Sequence, residues 1–263
     1  MADSRPIGVF DTGIGGLTVV KELQKILPGE DIVYFGDSAN CPYGNKPAEE
    51  IRFLSKRILR HLEKRSVKAI AIACNGISTQ AKQLRGEVAV PVIDIISAAS
   101  ERVVQLGLRQ IGLIAAKITV KTGKYDELIR RLDPSLEVVS KGSPLLAGLV
   151  DRGDFDQNAI DAEIRLQIDD ILARAPVSHI MLACTHYPIV EDRFAACYPN
   201  ITWFNPGIAQ ADAVKALLAE ENLLSPNKRG KFTLTTSGDP AVYAAIAKRL
   251  GLFEPDSLEK IVL

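Results

Sequence analysis

Histidine is scarce in this chain. There are three, His61, His179 and His186, which argues against a histidine-rich metal site. Net charge is missing as well. The 32 basic and 32 acidic residues cancel, so there is no electrostatic footprint for nucleic acid or an anionic membrane. No apolar run approaches the roughly 18 residues that a membrane span needs. The opening segment, MADSRPIGVFDTG, has no basic stretch followed by a long apolar one. We therefore expect no signal peptide and a cytoplasmic address. Four cysteines are present, Cys41, Cys74, Cys184 and Cys197, and no two form a C-x-x-C pair. In a reducing compartment they should be free thiols. The glycine-rich stretch DTGIGGLTVV lacks a dinucleotide fingerprint, because Thr18 stands where glycine is needed. It also lacks the lysine of a Walker A loop.

What remains is ordinary for a globular chain: 47% hydrophobic and 24% charged among 263 residues. Short runs rich in Ile and Val alternate with helical patterns along almost the whole length. Strands are expected at Ile7–Phe10, Asp31–Phe35, Ala69–Ala73, Pro91–Ile95, Gln110–Ala115, Glu137–Ser140, His179–Ala183, Ile201–Phe204 and Phe232–Thr235. Several are apolar on both faces, as buried parallel strands are. Ile51, Leu54, Ile58 and Leu62 recur at helical spacing, as do Ile160, Ile164, Ile168 and Leu172. The alternation predicts α/β architecture with mostly parallel sheets. Turn-rich stretches near Ile96–Ser97 and Asn205–Gly207 are the candidate boundaries. They divide the chain into a discontinuous first domain, 1–96 plus 208–263, and a second, 97–207. No low-complexity linker separates them.

Two segments share a pattern. KAIAIACNGIS and SHIMLACTHYP each run from an apolar strand into Ala-Cys and then a small polar residue. Cys184 follows Cys74 by 110 residues, a spacing suited to equivalent positions in two similar halves. In open parallel sheets, ligands bind beyond the carboxyl ends of strands. A thiol there meets free backbone N–H groups and the positive end of a helix. Both are expected to draw it below its reference pKa of about 8.5. The same N–H groups can hold a carboxylate. A cysteine in such a place can equally be a packing residue. Cys41, in a loop, and Cys197, on a helix, are assigned no chemistry.

Paired thiols suit inversion at a Cα centre without a cofactor. One base removes the proton from one face, and a conjugate acid returns a proton to the other. Asp11, at the end of the first strand, either tunes Cys74 or simply forms the turn before Gly13. His186 either exchanges protons with Cys184 or is a loop histidine bonded to backbone. Pro42-Tyr43-Gly44 is either a ligand loop or a surface turn.

GVFDTGIGGLTV, YFGDSANCPYG, IACNGIS and LACTHYP, in this order and spacing, resemble the glutamate racemases of the aspartate/glutamate racemase superfamily. The resemblance covers essentially the whole chain. It implies two pseudo-symmetric three-layer α/β domains with the active site at their interface. It also implies no pyridoxal phosphate or metal, a small amino-acid substrate and a homodimer. Cys74 is then expected to deprotonate D-glutamate with help from Asp11. Cys184 is expected to deprotonate L-glutamate with help from Asp151 and His186. Thr12, Pro42, Tyr43, Gly44, Asn75, Gly76, Thr185 and His186 fall on the substrate-binding positions. The product D-glutamate would enter peptidoglycan. Four positions depart from the family pattern: Gly76 for threonine, Asp151 for glutamate, Asn205 for aspartate and Ser143 for cysteine. They leave open a racemase of aspartate or another small amino acid with the same chemistry. A decarboxylase or isomerase of the superfamily would have less use for both thiols. A binding protein would have none.

Overall fold

The computed structural model describes residues 3–152 and 156–263. Among the described residues ten strands form two separate, wholly parallel sheets. The strands are β1 (Ile7–Asp11), β2 (Ile32–Gly36), β3 (Ala69–Ile72), β4 (Val92–Asp94), β5 (Gln110–Ala116), β6 (Glu137–Ser143), β7 (His179–Ala183), β8 (Thr202–Phe204), β9 (Phe232–Thr236) and β10 (Ser257–Lys260). The first sheet has the order β10-β9-β2-β1-β3-β4, and the second β6-β5-β7-β8. The chain thus leaves the first sheet after β4 and returns to it at β9.

The connections are helical, as parallel strands require. In chain order they are α1 (Leu17–Ile26), α2 (Ala48–Lys64), α3 (Asn75–Ser78), α4 (Ala81–Leu84), α5 (Ile95–Val104), α6 (Lys117–Lys121), α7 (Lys124–Leu132), α8 (Leu146–Asp151), α9 (Gln157–Arg174), α10 (Glu191–Cys197), α11 (Pro206–Glu220) and α12 (Pro240–Leu250). The two passages between sheets occur at helix starts. Asp94 caps α5 by accepting from Ser97 N, and Asn205 caps α11 by accepting from Gly207 N. Either acid or amide can cap a helix this way, so Asn205 does the structural work of an aspartate.

Strand alternation sorts the core. Ile7, Val9, Ala69 and Ala71 face a large apolar cluster that runs on through the second sheet, where it includes Leu113 and Met181. Phe10, Ile70 and Ile72 point the other way, onto Ile51, Leu54, Ile58 and Leu62 of α2. The α9 seam is Ile160, Ile164, Ile168 and Ile171. Leu172, expected in that seam, is only half-buried and packs at its margin. The last strand, β10, has no counterpart among the expected elements. Its sequence, SLEK, alternates between half-buried and exposed, so it carries no apolar run.

A buried ion pair locks the end of the first sheet away from the carboxyl ends. Lys68 and Glu30 meet with side chains 0% and 2% exposed. Lys68 Nζ also donates to the carbonyls of Asp3 at 2.6 Å and Leu223 at 2.7 Å. Glu30 accepts from Ser225 N at 2.7 Å. The pair ties the chain start, β3 and the segment after α11 together. Among the described residues no helix is long and apolar enough to cross a membrane.

Candidate active site

Each sheet has one point where its strand order reverses, between β1 and β3 in the first and between β5 and β7 in the second. Carboxyl-end crevices at such points are where open α/β sheets bind ligands. Asp11 ends β1, and Cys74 follows β3 by two residues. Cys184 directly follows β7. The sequence therefore delivers both thiols and one carboxylate to the two switch points.

Asp11 is fully buried and joins the two sides. Its Oδ1 accepts from Thr12 Oγ1 at 3.1 Å and from Gly13 N at 3.2 Å. Its Oδ2 accepts from Thr185 Oγ1 at 2.8 Å. Thr12 Oγ1 lies 3.9 Å from Cys74 Sγ, and Thr185 is the residue after Cys184. The hydrogen-bonded path thus runs from one cysteine loop to the other. Thr18 adds a second tie, donating to the Thr185 carbonyl at 3.2 Å. Burial raises the Asp11 carboxyl above its usual range, against the pull of His186 and its own three donors.

The two thiols meet different electrostatics. Burial pushes Cys74 well up, the Asp11 carboxylate and the nearby Cys184 add to it, and only the Ile77 N–H and the Thr12 hydroxyl oppose. This corrects the expected downward shift. The helix after Cys74, α3, has only four residues, so its dipole is too weak to offset a buried carboxylate alongside. Cys184 has an imidazole beside it instead: His186 Nδ1 lies 3.8 Å from its sulfur. On the far side of that ring, Nε2 lies 3.2 Å from Asp151 Oδ1. Burial opposes protonation of His186, but Asp151 and Cys184 outweigh it and hold the imidazole well above its ordinary value. Asp151 is correspondingly lowered by its bond to His186. Asp151, expected to serve Cys184, is bonded to His186, which stands between the acid and the thiol.

The remaining expected residues lie around the Cys74 loop. Tyr43 is buried and donates to Asp37 Oδ2 at 2.6 Å, while Pro42 and Gly44 are exposed. Asp37 also accepts from Ser237 at 2.7 Å and from the Asn40 amide at 3.0 Å. It thereby anchors the Pro42-Tyr43-Gly44 loop to the first sheet. A Cβ on Gly44 or Gly76 would touch the same Ile118 methyl, at 3.6 and 3.8 Å, so both glycines lie under α6. Asn75 is buried, and its Nδ2 has no partner.

Three residues escaped the sequence reading. Asp37 sits in the quoted YFGDS run but gave no chemical signal of its own. Tyr125 donates to Asn75 Oδ1 at 2.7 Å from 50 residues away, a link that no local motif reveals. Cys41, assigned no chemistry, reaches the Thr12 hydroxyl, and burial with the Asp151 carboxylate raises its thiol. Cys197 lies at the end of α10, among the apolar residues of the core. Among the described residues no group of three or more His, Cys, Asp or Glu side chains could hold a metal ion.

The Asp/Glu/Hydantoin racemase family model matches residues 7–220. The chain belongs to that family. A glutamate racemase of Thermoanaerobacter pseudethanolicus is 36% identical over 250 residues, covering 94% of each chain. One from Thermus thermophilus is 37% identical over 247 residues, covering 94% of this chain and 92% of the relative. The crystal structure of glutamate racemase from Francisella tularensis, in complex with D-glutamate, superposes with a TM-score of 0.89 at 33% identity. It covers 99% of this chain and 98% of that one. This chain is thus an amino-acid racemase by family, with two α/β units as in its relatives.

Proposed function

We propose that this racemase interconverts L- and D-glutamate by a two-thiol mechanism that uses no cofactor. The observation that carries the reading is the bridge from the Cys74 loop to the Cys184 loop through Thr12, Asp11 and Thr185. It links the loops that carry the two thiols, one following a strand of each sheet. Relatives named as glutamate racemases, one of them solved with D-glutamate, support the choice of substrate.

In the D-to-L direction, Cys74 thiolate takes the Cα proton and becomes a thiol. The electron pair stays on Cα, delocalised into the α-carboxylate. The Cys184 thiol then gives a proton to the opposite face and becomes thiolate. The L-to-D direction exchanges the roles, so no net proton is gained or lost. The free Cys74 thiol is held neutral by its surroundings. A substrate ammonium beside it would favour the thiolate and so couple activation to binding. Asp11 tunes Cys74. His186, polarised by Asp151, serves Cys184. Thr12, Asn75, Gly76, Thr185 and His186, with the Pro42-Tyr43-Gly44 loop, hold the carboxylates and the amine. The units meet as domains 1–96 plus 208–263 and 97–207. The enzyme acts as a cytoplasmic homodimer whose D-glutamate enters peptidoglycan.

The test is isotopic. Each enantiomer of glutamate, and separately of aspartate, is incubated with the protein in heavy water. Deuterium should enter Cα of glutamate, and optical activity should decay to zero from both sides. Cys74→Ala and Cys184→Ala should each abolish racemisation in both directions. Full racemisation by either variant would remove the two-base mechanism, and exchange with aspartate alone would move the substrate.

A further inference from the structure

The two-thiol reaction leaves several buried phenols near the thiols without a role, and one of them, Tyr125, touches a residue of the Cys74 loop. Tyr125 lies in the first turn of α7, which follows β5 of the second sheet, and is 2% exposed. Its Oη reaches across to the first sheet's side and donates to Asn75 Oδ1 at 2.7 Å. Asn75, next to Cys74, is 3% exposed, and its Nδ2 is buried without an acceptor. One end of that amide is engaged, and the other is a free donor.

An amide is nearly symmetric in shape, so its two flip states fit the same space. They are opposite in chemistry. With Nδ2 forward, the group donates to a carboxylate. With Oδ1 forward, it sets a lone pair against one. We propose that Tyr125 is a positioning residue for the racemisation: by engaging Asn75 Oδ1 it holds the amide with Nδ2 turned to the substrate carboxylate. The inference rests on the glutamate reading above, which supplies that carboxylate. The phenol is suited to the task. Burial, with the Asp94 carboxylate and the Cys184 thiol nearby, pushes its ionisation well above the ordinary range. It stays protonated, and a donor, at any working pH. Tyr125 and Asn75 also belong to different sheets' sides. The orientation of a binding group in one unit is therefore set by a hydroxyl from the other.

Tyr125→Phe keeps the ring and its packing and removes only the hydroxyl. A lost hydrogen bond of this kind changes affinity by roughly three- to tenfold. We expect KM for both enantiomers of glutamate to rise by about that factor, with a smaller fall in kcat and little change in Tm. In an Asn75→Ala background the same substitution should add nothing, because the group it orients is gone. A KM left unchanged by Tyr125→Phe, or effects that multiply in the double variant, would overturn the proposal. The side-chain 15N–1H signals of Asn75, assigned by their loss in Asn75→Ala, give a readout besides activity. They should move in Tyr125→Phe without substrate; unmoved signals overturn the proposal. If the wild-type protein exchanged no Cα proton of glutamate, the functional reading would fail on that count. The amide signals would still decide the hydrogen bond.

Discussion

The Thr185 hydroxyl donates to Asp11 Oδ2 at 2.8 Å, joining the end of β1 in the first sheet to the loop after β7 in the second. Asp11 thereby contacts the surroundings of both thiols at once. The same carboxylate that raises Cys74 is held by the neighbour of Cys184. Its charge is the natural place to perturb the pair.

Asp11→Asn removes a negative charge beside Cys74 and leaves burial unchanged. The Cys74 pKa should fall toward its ordinary value without reaching it, since burial is the larger cause. In the wild-type protein, alkylation of Cys74 by iodoacetamide should be slow at neutral pH and accelerate as pH rises. In Asp11→Asn that rise should begin at lower pH, as read by mass spectrometry of the Cys74 peptide. An identical alkylation profile in the two proteins would refute the coupling.

His186 carries the opposite sign. Its folded pKa is raised, so the stability it contributes is fully present below its ordinary value and is lost as pH rises through the folded one. Asp151 is lowered, so its share is lost as pH falls. Asp151→Asn should bring the imidazole titration down and move the matching limb of the pH–rate profile with it. Imidazole signals followed by NMR across pH check this directly. A titration that stays in place would show that Asp151 does not hold the ring charged.

Two glycines should respond unequally to one added methyl. A Cβ on Gly15 would collide with Thr185 Oγ1 and stand 2.8 Å from His186 Nδ1. Displacing those groups by an ångström can cost on the order of a hundredfold in rate, so Gly15→Ala should lose about that much kcat/KM. A Cβ on Gly76 would meet Cys74 Sγ at 3.7 Å and Ile118 at 3.8 Å, ordinary contacts. Gly76→Ala should stay within a few-fold of wild type, roughly the scale of a single weak contact. Steady-state kinetics of both variants with D-glutamate decide the matter.

Lys68→Met leaves Glu30 buried opposite an apolar chain. Breaking a buried pair from one side typically costs about 3–5 kcal/mol. Urea unfolding should show a loss of that size, with kcat of the folded protein preserved because the pair lies at the end of the sheet away from the crevice. A midpoint within error of wild type would mean that the pair contributes nothing.

Much of this molecule was legible along the chain. Nine strands were expected where they occur, and the clearest of them are short buried apolar runs such as those of β1, β3 and β7. The tenth, β10, was not, because a half-exposed strand at a sheet edge needs no such run. Leu172 was expected in the α9 seam in place of Ile171. The two residues are adjacent and both apolar, and only the packed neighbours choose between them.

The covalent order of residues by itself determined that Cys74 and Cys184 would each follow an apolar strand, and that Asp11, Thr185 and His186 would lie within three residues of such an end. Strand periodicity and parallel topology suffice for that, being local properties of the chain. Only the tertiary structure decided how these groups act on one another: Asp11 raising Cys74, His186 standing between Asp151 and the second sulfur, Tyr125 reaching Asn75. Such effects depend on burial and on distances of a few ångströms between residues far apart in sequence. Solvation and Coulomb energies change steeply over those distances, and nothing in the spacing of letters records them.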